Sequence, residues 1–192
     1  MESEKLTSRD VARELERVRY QSSFWMIVRN TLFTLLAVVS LAILVAVLWL
    51  PVLRIYGNSM NKTLQKDDIV LTVKESSDKV ETGDVLAFYY NNKVLVKRVI
   101  AKSGDWVDID SEGTVYVNQK ELAEPYVDKK SLGNSNITYP YQVPDDQIFV
   151  LGDNREVSID SRNTSIGTVT EEQVVGKIVF KVWPLKSFGA IK

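Results

Sequence analysis

Hydrophobic positions along the chain fall into two regimes. Between Arg29 and Arg54 no residue is charged, so positions 30–53 form a continuous apolar run of some 24 residues. As a helix rising about 1.5 Å per residue, such a run spans roughly 36 Å, enough to cross a hydrocarbon core of about 30 Å with some tilt. Thr31, Thr34 and Ser40 can bond back to carbonyls of their own helix, while Trp49 and Pro51 fall where the span meets the outer interface. The run is longer than the roughly 7–15 apolar residues of a cleavable signal peptide and follows a polar lead, which predicts a permanent signal anchor.

After the span the pattern changes to short β-branched and aromatic runs, at 69–73, 85–90, 93–100, 114–117, 148–151 and 177–182. Turn signals such as Asn91-Asn92, Ser103-Gly104-Asp105 and Glu112-Gly113 separate them, so residues 54–192 are expected to form one mainly β domain. Positions 121–141, with Pro125, Gly133, Pro140 and a Ser/Asn cluster, interrupt the strands, and about 106–145 is expected to be a small non-catalytic excursion. In the lead, 1–29, Val11, Leu15 and Val18 recur at helical spacing and Thr7 is placed to cap against Asp10. Lys5, Arg9, Arg13, Arg17, Arg19 and Arg29 precede the span, against Arg54, Lys62 and Lys66 shortly after it. That excess puts the lead in the cytoplasm and the β domain outside.

Composition narrows the chemistry. A net charge of −1 gives no reason to expect nucleic acid. The absence of cysteine and histidine removes thiol chemistry, disulfides and the usual zinc ligand sets, and no cofactor or metal is expected. Without histidine, a nucleophilic serine has to draw its base from lysine or a carboxylate. Ser59, in Gly57-Asn58-Ser59-Met60, lies six residues beyond the apolar run, a reach of no more than about 20 Å. A nucleophile there would work beside the outer leaflet.

Lys97 is the candidate base. On a strand the period of two puts it on one face with Leu95 and Val99, and Arg98 on the other with Val96 and Ile100. Apolar neighbours strip water from the ammonium and lower its pKa. A base near neutral pH needs a fall from about 10.4 to about 7–8, or roughly 3–5 kcal/mol of differential destabilisation. The local pattern also allows an edge strand from which Lys97 and Arg98 snorkel to water, and an ordinary turn serine at 59.

Three segments in order narrow the choice: Gly57-Asn58-Ser59-Met60-Asn61-Lys62-Thr63-Leu64 with Asp68-Ile69-Val70, then Val96-Lys97-Arg98-Val99-Ile100 with Gly104-Asp105, then Gly152 through Arg162. With a closing Gly176-Lys177 and Trp183-Pro184-Leu185, the chain from about residue 30 onward resembles the type I signal peptidases. These are serine/lysine proteases that remove signal peptides from exported proteins, and the single span fits their Gram-positive branch.

The resemblance implies a β-rich catalytic domain after one transmembrane helix, in a bacterial cell membrane. It makes Ser59 the nucleophile and the donor, through its backbone N–H, of one oxyanion bond. Lys97 is the general base and Ser158 orients it. Asp160 pairs with Arg155 or Arg162 to hold the third segment, and Asp153 is a turn residue. Substrates are exported preproteins lying in the bilayer, bound extended like an added strand and cut after small residues in an Ala-x-Ala pattern. Met60, Leu95 and Val96 are candidates to line the shallow pockets.

Two positions depart from the family: Lys62 stands where proline is common, and Asp67 where glycine usually precedes the acidic residue. Gly57 cannot supply the second oxyanion hydroxyl that some members carry two residues before the nucleophile. The alternatives are an inactive relative serving as an assembly factor or chaperone for surface proteins, marked by loss of Ser59 or Lys97, and a cytosolic self-cleaving repressor-type protein, which the span argues against.

Overall fold

The computed structural model describes residues 8–49, 51–75 and 79–191. The chain divides into a helical unit ending at Trp49 and a β unit after it. The first is one helix, α1 (Ser8–Trp49). Its stretch Ser23–Val45 has a mean hydropathy of 2.0, is long and apolar enough to cross a membrane, and packs none of its surface inside the protein. Thr34 Oγ1 donates to the Asn30 carbonyl at 2.9 Å, the back-bonding expected of a hydroxyl in an apolar helix. The lead continues into the same helix; the expected Thr7 cap lies outside the described residues.

The apolar run does not stay helical to its end. Pro51 has no N–H for a helix and disfavours α geometry in the residue before it. Its carbonyl instead accepts from the Thr72 N–H at 3.0 Å and the Thr72 hydroxyl at 2.8 Å. Val52 and Leu53, expected at the end of the span, therefore open strand β1 (Val52–Arg54), antiparallel to β2 (Ile69–Val73).

The remaining strands are β3 (Val85–Tyr90), β4 (Lys93–Ala101), β5 (Trp106–Ile109), β6 (Val115–Val117), β7 (Lys120–Glu121), β8 (Tyr141–Gln142), β9 (Gln147–Leu151), β10 (Val169–Thr170), β11 (Val174–Trp183) and β12 (Gly189–Ala190). An antiparallel sheet runs β1-β2-β11-β3-β4-β9-β10, with β12 on β11, and a smaller one runs β7-β6-β5-β8. All six apolar runs expected as strands are strands. At Gly176 in β11 a Cβ would come within 2.5 Å of the Val73 carbonyl of β2, so only glycine allows the two backbones this approach.

Both faces of the second half of β4 are covered, which is why Val99, Ile100 and Ala101 are all buried. Val99 packs with Leu86, Phe88 and Val150, while Ile100 packs with Phe149, Leu151 and Val107 of the small sheet. A third cluster joins Ile55, Met60, Leu64, Val70, Ala87 and Ile178. β3 pairs with β4 along its length, from Tyr90↔Lys93 to Val85↔Arg98, but β9 pairs only with its second half, from Arg98↔Leu151 onward. The first half of β4 thus keeps one edge without a strand partner among the described residues, and that edge borders the site.

Candidate active site

Ser59 opens a tight turn after β1. Gly57 sits at φ +109°, a conformation that costs glycine little and other residues much. Asn61 N–H then bonds the Asn58 carbonyl at 3.1 Å and Leu64 N–H the Met60 carbonyl at 2.8 Å, leaving Ser59 half-buried and Met60 buried. The loop after β9 grips this turn: Asn154 N–H donates to the Ser59 carbonyl at 3.0 Å and Asn154 Nδ2 to the Asn58 carbonyl at 3.3 Å. Among the described residues no hydrogen bond uses the Ser59 N–H.

Lys97 lies inside the sheet at 3% exposure, with Arg98 beside it at 1%, so neither snorkels from an edge. Because Leu151 is paired with Arg98, the chain leaving β9 brings Gly152 alongside Lys97. A Cβ on Gly152 would overlap Ser158 Oγ and reach to 2.6 Å from the Ser59 carbonyl oxygen. Glycine at 152 therefore lets the nucleophile turn, the lysine strand and Ser158 come together. Ser158 is 1% exposed and its hydroxyl has no hydrogen-bond partner among the described residues. Such a group costs stability unless something else bonds it.

Burial lowers the Lys97 pKa to about 8, with Arg162 pushing the same way and Asp160 and Asp153 opposing. These charges belong to two buried pairs, and a third lies beside them. Arg98 is bidentate on Asp153 at 2.9 and 2.8 Å and also donates to the Gly83 carbonyl at 2.6 Å. Arg162 holds Asp160 at 2.8 and 2.9 Å, and Asp160 accepts the Gly152 N–H at 3.0 Å. Arg155 pairs with Glu124 and donates to the Gly152 carbonyl at 3.0 Å. Gly152 is thus fixed from both its N–H and its C=O.

One expectation is corrected here. Asp153 is not merely a turn residue: its carboxylate turns inward, takes Arg98 and accepts the Thr63 hydroxyl at 2.6 Å, since a buried guanidinium needs a counter-charge. Of the two partners expected for Asp160, Arg162 is the one that holds it, while Arg155 is engaged by Glu124.

Glu124 and Tyr126, whose ring lies 3.9 Å from the Arg98 guanidinium carbon, come from the segment assigned no chemistry in sequence. No local signal pointed to the acid, since the third segment already places Glu156 next to Arg155.

A groove of about 720 Å³ runs between residues 52–57 and 93–96 and ends at Ser59 and Met60. Leu95 and Val96 line it, and each also reaches a core, Val96 packing toward Met60 and Leu95 toward Leu86 and Phe88. A separate small polar recess of about 100 Å³ has Asn61, Asp128, Asn154 and Glu156 on its walls.

Comparison with known proteins shows which family the chain resembles. The family described as signal peptidase, peptidase S26, matches residues 27–183. Signal peptidase IB of Staphylococcus aureus is 38% identical over 152 residues, 70% of this chain and 78% of that protein. Signal peptidase I of Bacillus amyloliquefaciens is 35% identical over 146 residues, 71% and 77% respectively. A solved signal peptidase I from Enterococcus faecalis matches at 30% identity over 52% of this chain and 96% of its own, with a TM-score of 0.42. The chain belongs to the peptidase S26 family, the type I signal peptidases.

Proposed function

We propose that this family member removes signal peptides from exported preproteins as a serine endopeptidase built on Ser59 and Lys97. Neutral Lys97 takes the Ser59 proton as Oγ attacks the scissile carbonyl, and the Ser59 N–H donates to the oxyanion. The ammonium of Lys97 returns that proton to the leaving amine, which departs as the N-terminus of the mature protein. Lys97 next deprotonates a water that attacks the acyl ester, releasing the signal peptide as a carboxylate and restoring Ser59. Ser158 accepts a hydrogen bond from the lysine and fixes its aim.

The observation that carries this reading is Gly152, against which Ser59, Ser158 and the strand of Lys97 all converge. The lysine pKa of about 8 leaves roughly one molecule in ten with a neutral base at pH 7. The unpaired edge of β4 accepts the substrate as an added strand, and Met60, Leu95 and Val96 leave room for small side chains, in keeping with Ala-x-Ala. The helix from Ser23 to Val45 serves as the single anchor. With the basic excess before it, the lead is cytoplasmic and the β unit faces the outside of a bacterial membrane.

The test is cleavage of a purified preprotein with an Ala-x-Ala site by the full chain in detergent, across pH. Wild type cuts, with a rate that rises through an apparent pKa of about 8, and Ser59→Ala and Lys97→Ala do not. A fully active Ser59→Ala variant overturns the mechanism.

A further inference from the structure

The groove that reaches Ser59 and the recess lined by its neighbours Asn61 and Asn154 differ in chemistry. The groove walls are largely apolar, with Leu53, Ile55 and Val96, whereas the recess is lined by Asn61, Asp128 and Asn154. On the reading of Ser59 and Lys97 given above, on which this inference rests, the signal-peptide side of the scissile bond takes the groove. The polar start of the mature protein takes the recess.

One charged side chain in the groove has no assigned task. Two cations line it, Arg54 and Lys93. Arg54 is neutralised by Asp67 at 3.0 Å. Lys93 is exposed, and among the described residues it makes no hydrogen bond or ion pair. It starts β4, four residues before Lys97, and the strand period of two puts both side chains on the same face. At about 3.3 Å per residue the separation is about 13 Å, and a substrate strand laid along this edge advances at the same rate. The residue it presents to Lys93 is four before the residue whose carbonyl is attacked, the fifth before the cut.

We propose that Lys93 is a specificity-determining residue that reads charge at the fifth position before the cut, favouring signal peptides with Asp or Glu there and disfavouring Lys or Arg. A long side chain at a solvent-facing rim forms a weak pair, which sets the expected selectivity at about threefold for acid over base. The effect fades as salt screens it. Lys93 would thus add a charge filter at a distance from the small-residue pockets, acting against the wrong substrate as much as for the right one.

The experiment is a charge-swap cycle with the full chain in detergent. One preprotein is made with Ala, Asp or Lys at the fifth position before its Ala-x-Ala cut, and kcat/KM is measured for wild type, Lys93→Gln and Lys93→Glu. Wild type should cut the Asp substrate about threefold faster than the Lys one, Lys93→Gln should cut them equally, and Lys93→Glu should reverse the order. Taking ratios between substrates removes any general effect of Lys93 on the Lys97 base. The same Asp-to-Lys ratio in all three proteins overturns the assignment. If wild type fails to cut even the Ala substrate, the Ser/Lys reading itself falls and takes this inference with it.

Discussion

The loop after β9 and the turn that bears Ser59 meet at Gly152, yet different physics holds them. The loop is tied down by charges that see almost no water: Arg98–Asp153 and Arg162–Asp160 are each 1% and 0% exposed, and Arg155–Glu124 1% on both sides. The pairs of the nucleophile turn lie in solvent, Arg54–Asp67 at 56% and 52% and Lys62–Asp128 at 46% and 71%. A buried pair has no water to fall back on and cannot trade partners cheaply, so it fixes one geometry. An exposed pair is screened and replaceable. Lys97 and Ser158 sit within the fixed half. The Ser59 turn is held by the backbone N–H and the side-chain amide of Asn154 and not by its own salt bridges.

The sharpest way to break that contrast is Glu124→Ala. It leaves the Arg155 guanidinium buried and uncompensated, which costs about 3–5 kcal/mol, while Lys62→Ala on the exposed side should cost under about 1 kcal/mol. Urea denaturation of the full chain in detergent reads both. Because Arg155 also holds the Gly152 carbonyl, cleavage by Glu124→Ala should fall even at temperatures where the fold survives. Equal losses for the two variants would mean that burial does not separate the regions.

These same residues show what could be read from the chain. The strands longer than four residues announced themselves through β-branched and aromatic runs. Of the seven strands of two to four residues only β6 was announced, by Thr114-Val115-Tyr116-Val117; β1, β5, β7, β8, β10 and β12 are too short to carry a period. β1 was further hidden because Val52 and Leu53 continue the apolar run, and only Pro51 marks the change. Ser59, Lys97 and Ser158 could be singled out because each lies in a local motif. Glu124 was not, since it meets Arg155 across 31 residues of polar chain in which no pattern points at a partner. Glu124 and Tyr126 are therefore the part of the site that folding, and not local sequence, brings in.

A second test bears on Lys97 itself. Its pKa is about 8 in the folded protein and about 10.4 in an unfolded chain. Between those values the unfolded chain binds more protons, so stability rises with pH across that window. Below pH 8 both states carry the proton, and the folded one bears the whole cost of a buried ammonium, about 3 kcal/mol at this shift. Lys97→Met should remove the cost, making the inactive protein more stable than wild type by up to that amount at pH 7, with the gap closing by about pH 10.5. A variant less stable than wild type at pH 7 would mean that Asp160 and Asp153 hold the ammonium more strongly than burial opposes it.

The smallest effect concerns the two departures from the family pattern in the nucleophile turn. Both occur at positive φ, +89° at Lys62 and +73° at Asp67. Aspartate tolerates that conformation, so Asp67 fits the turn and adds the exposed pair with Arg54. Lys62 tolerates it less well and holds to Asp128 at 2.6 Å. Proline, locked near −65°, cannot enter this turn as it stands. Lys62→Gly should therefore lie within about 1 kcal/mol of wild type, relief of backbone strain offsetting loss of the pair. Lys62→Pro should cost more and slow cleavage, because the turn must re-form around Ser59. A Lys62→Pro variant as stable and as active as wild type would mean that the turn already interconverts freely with a proline-compatible form, and that Asn154 alone sets the nucleophile.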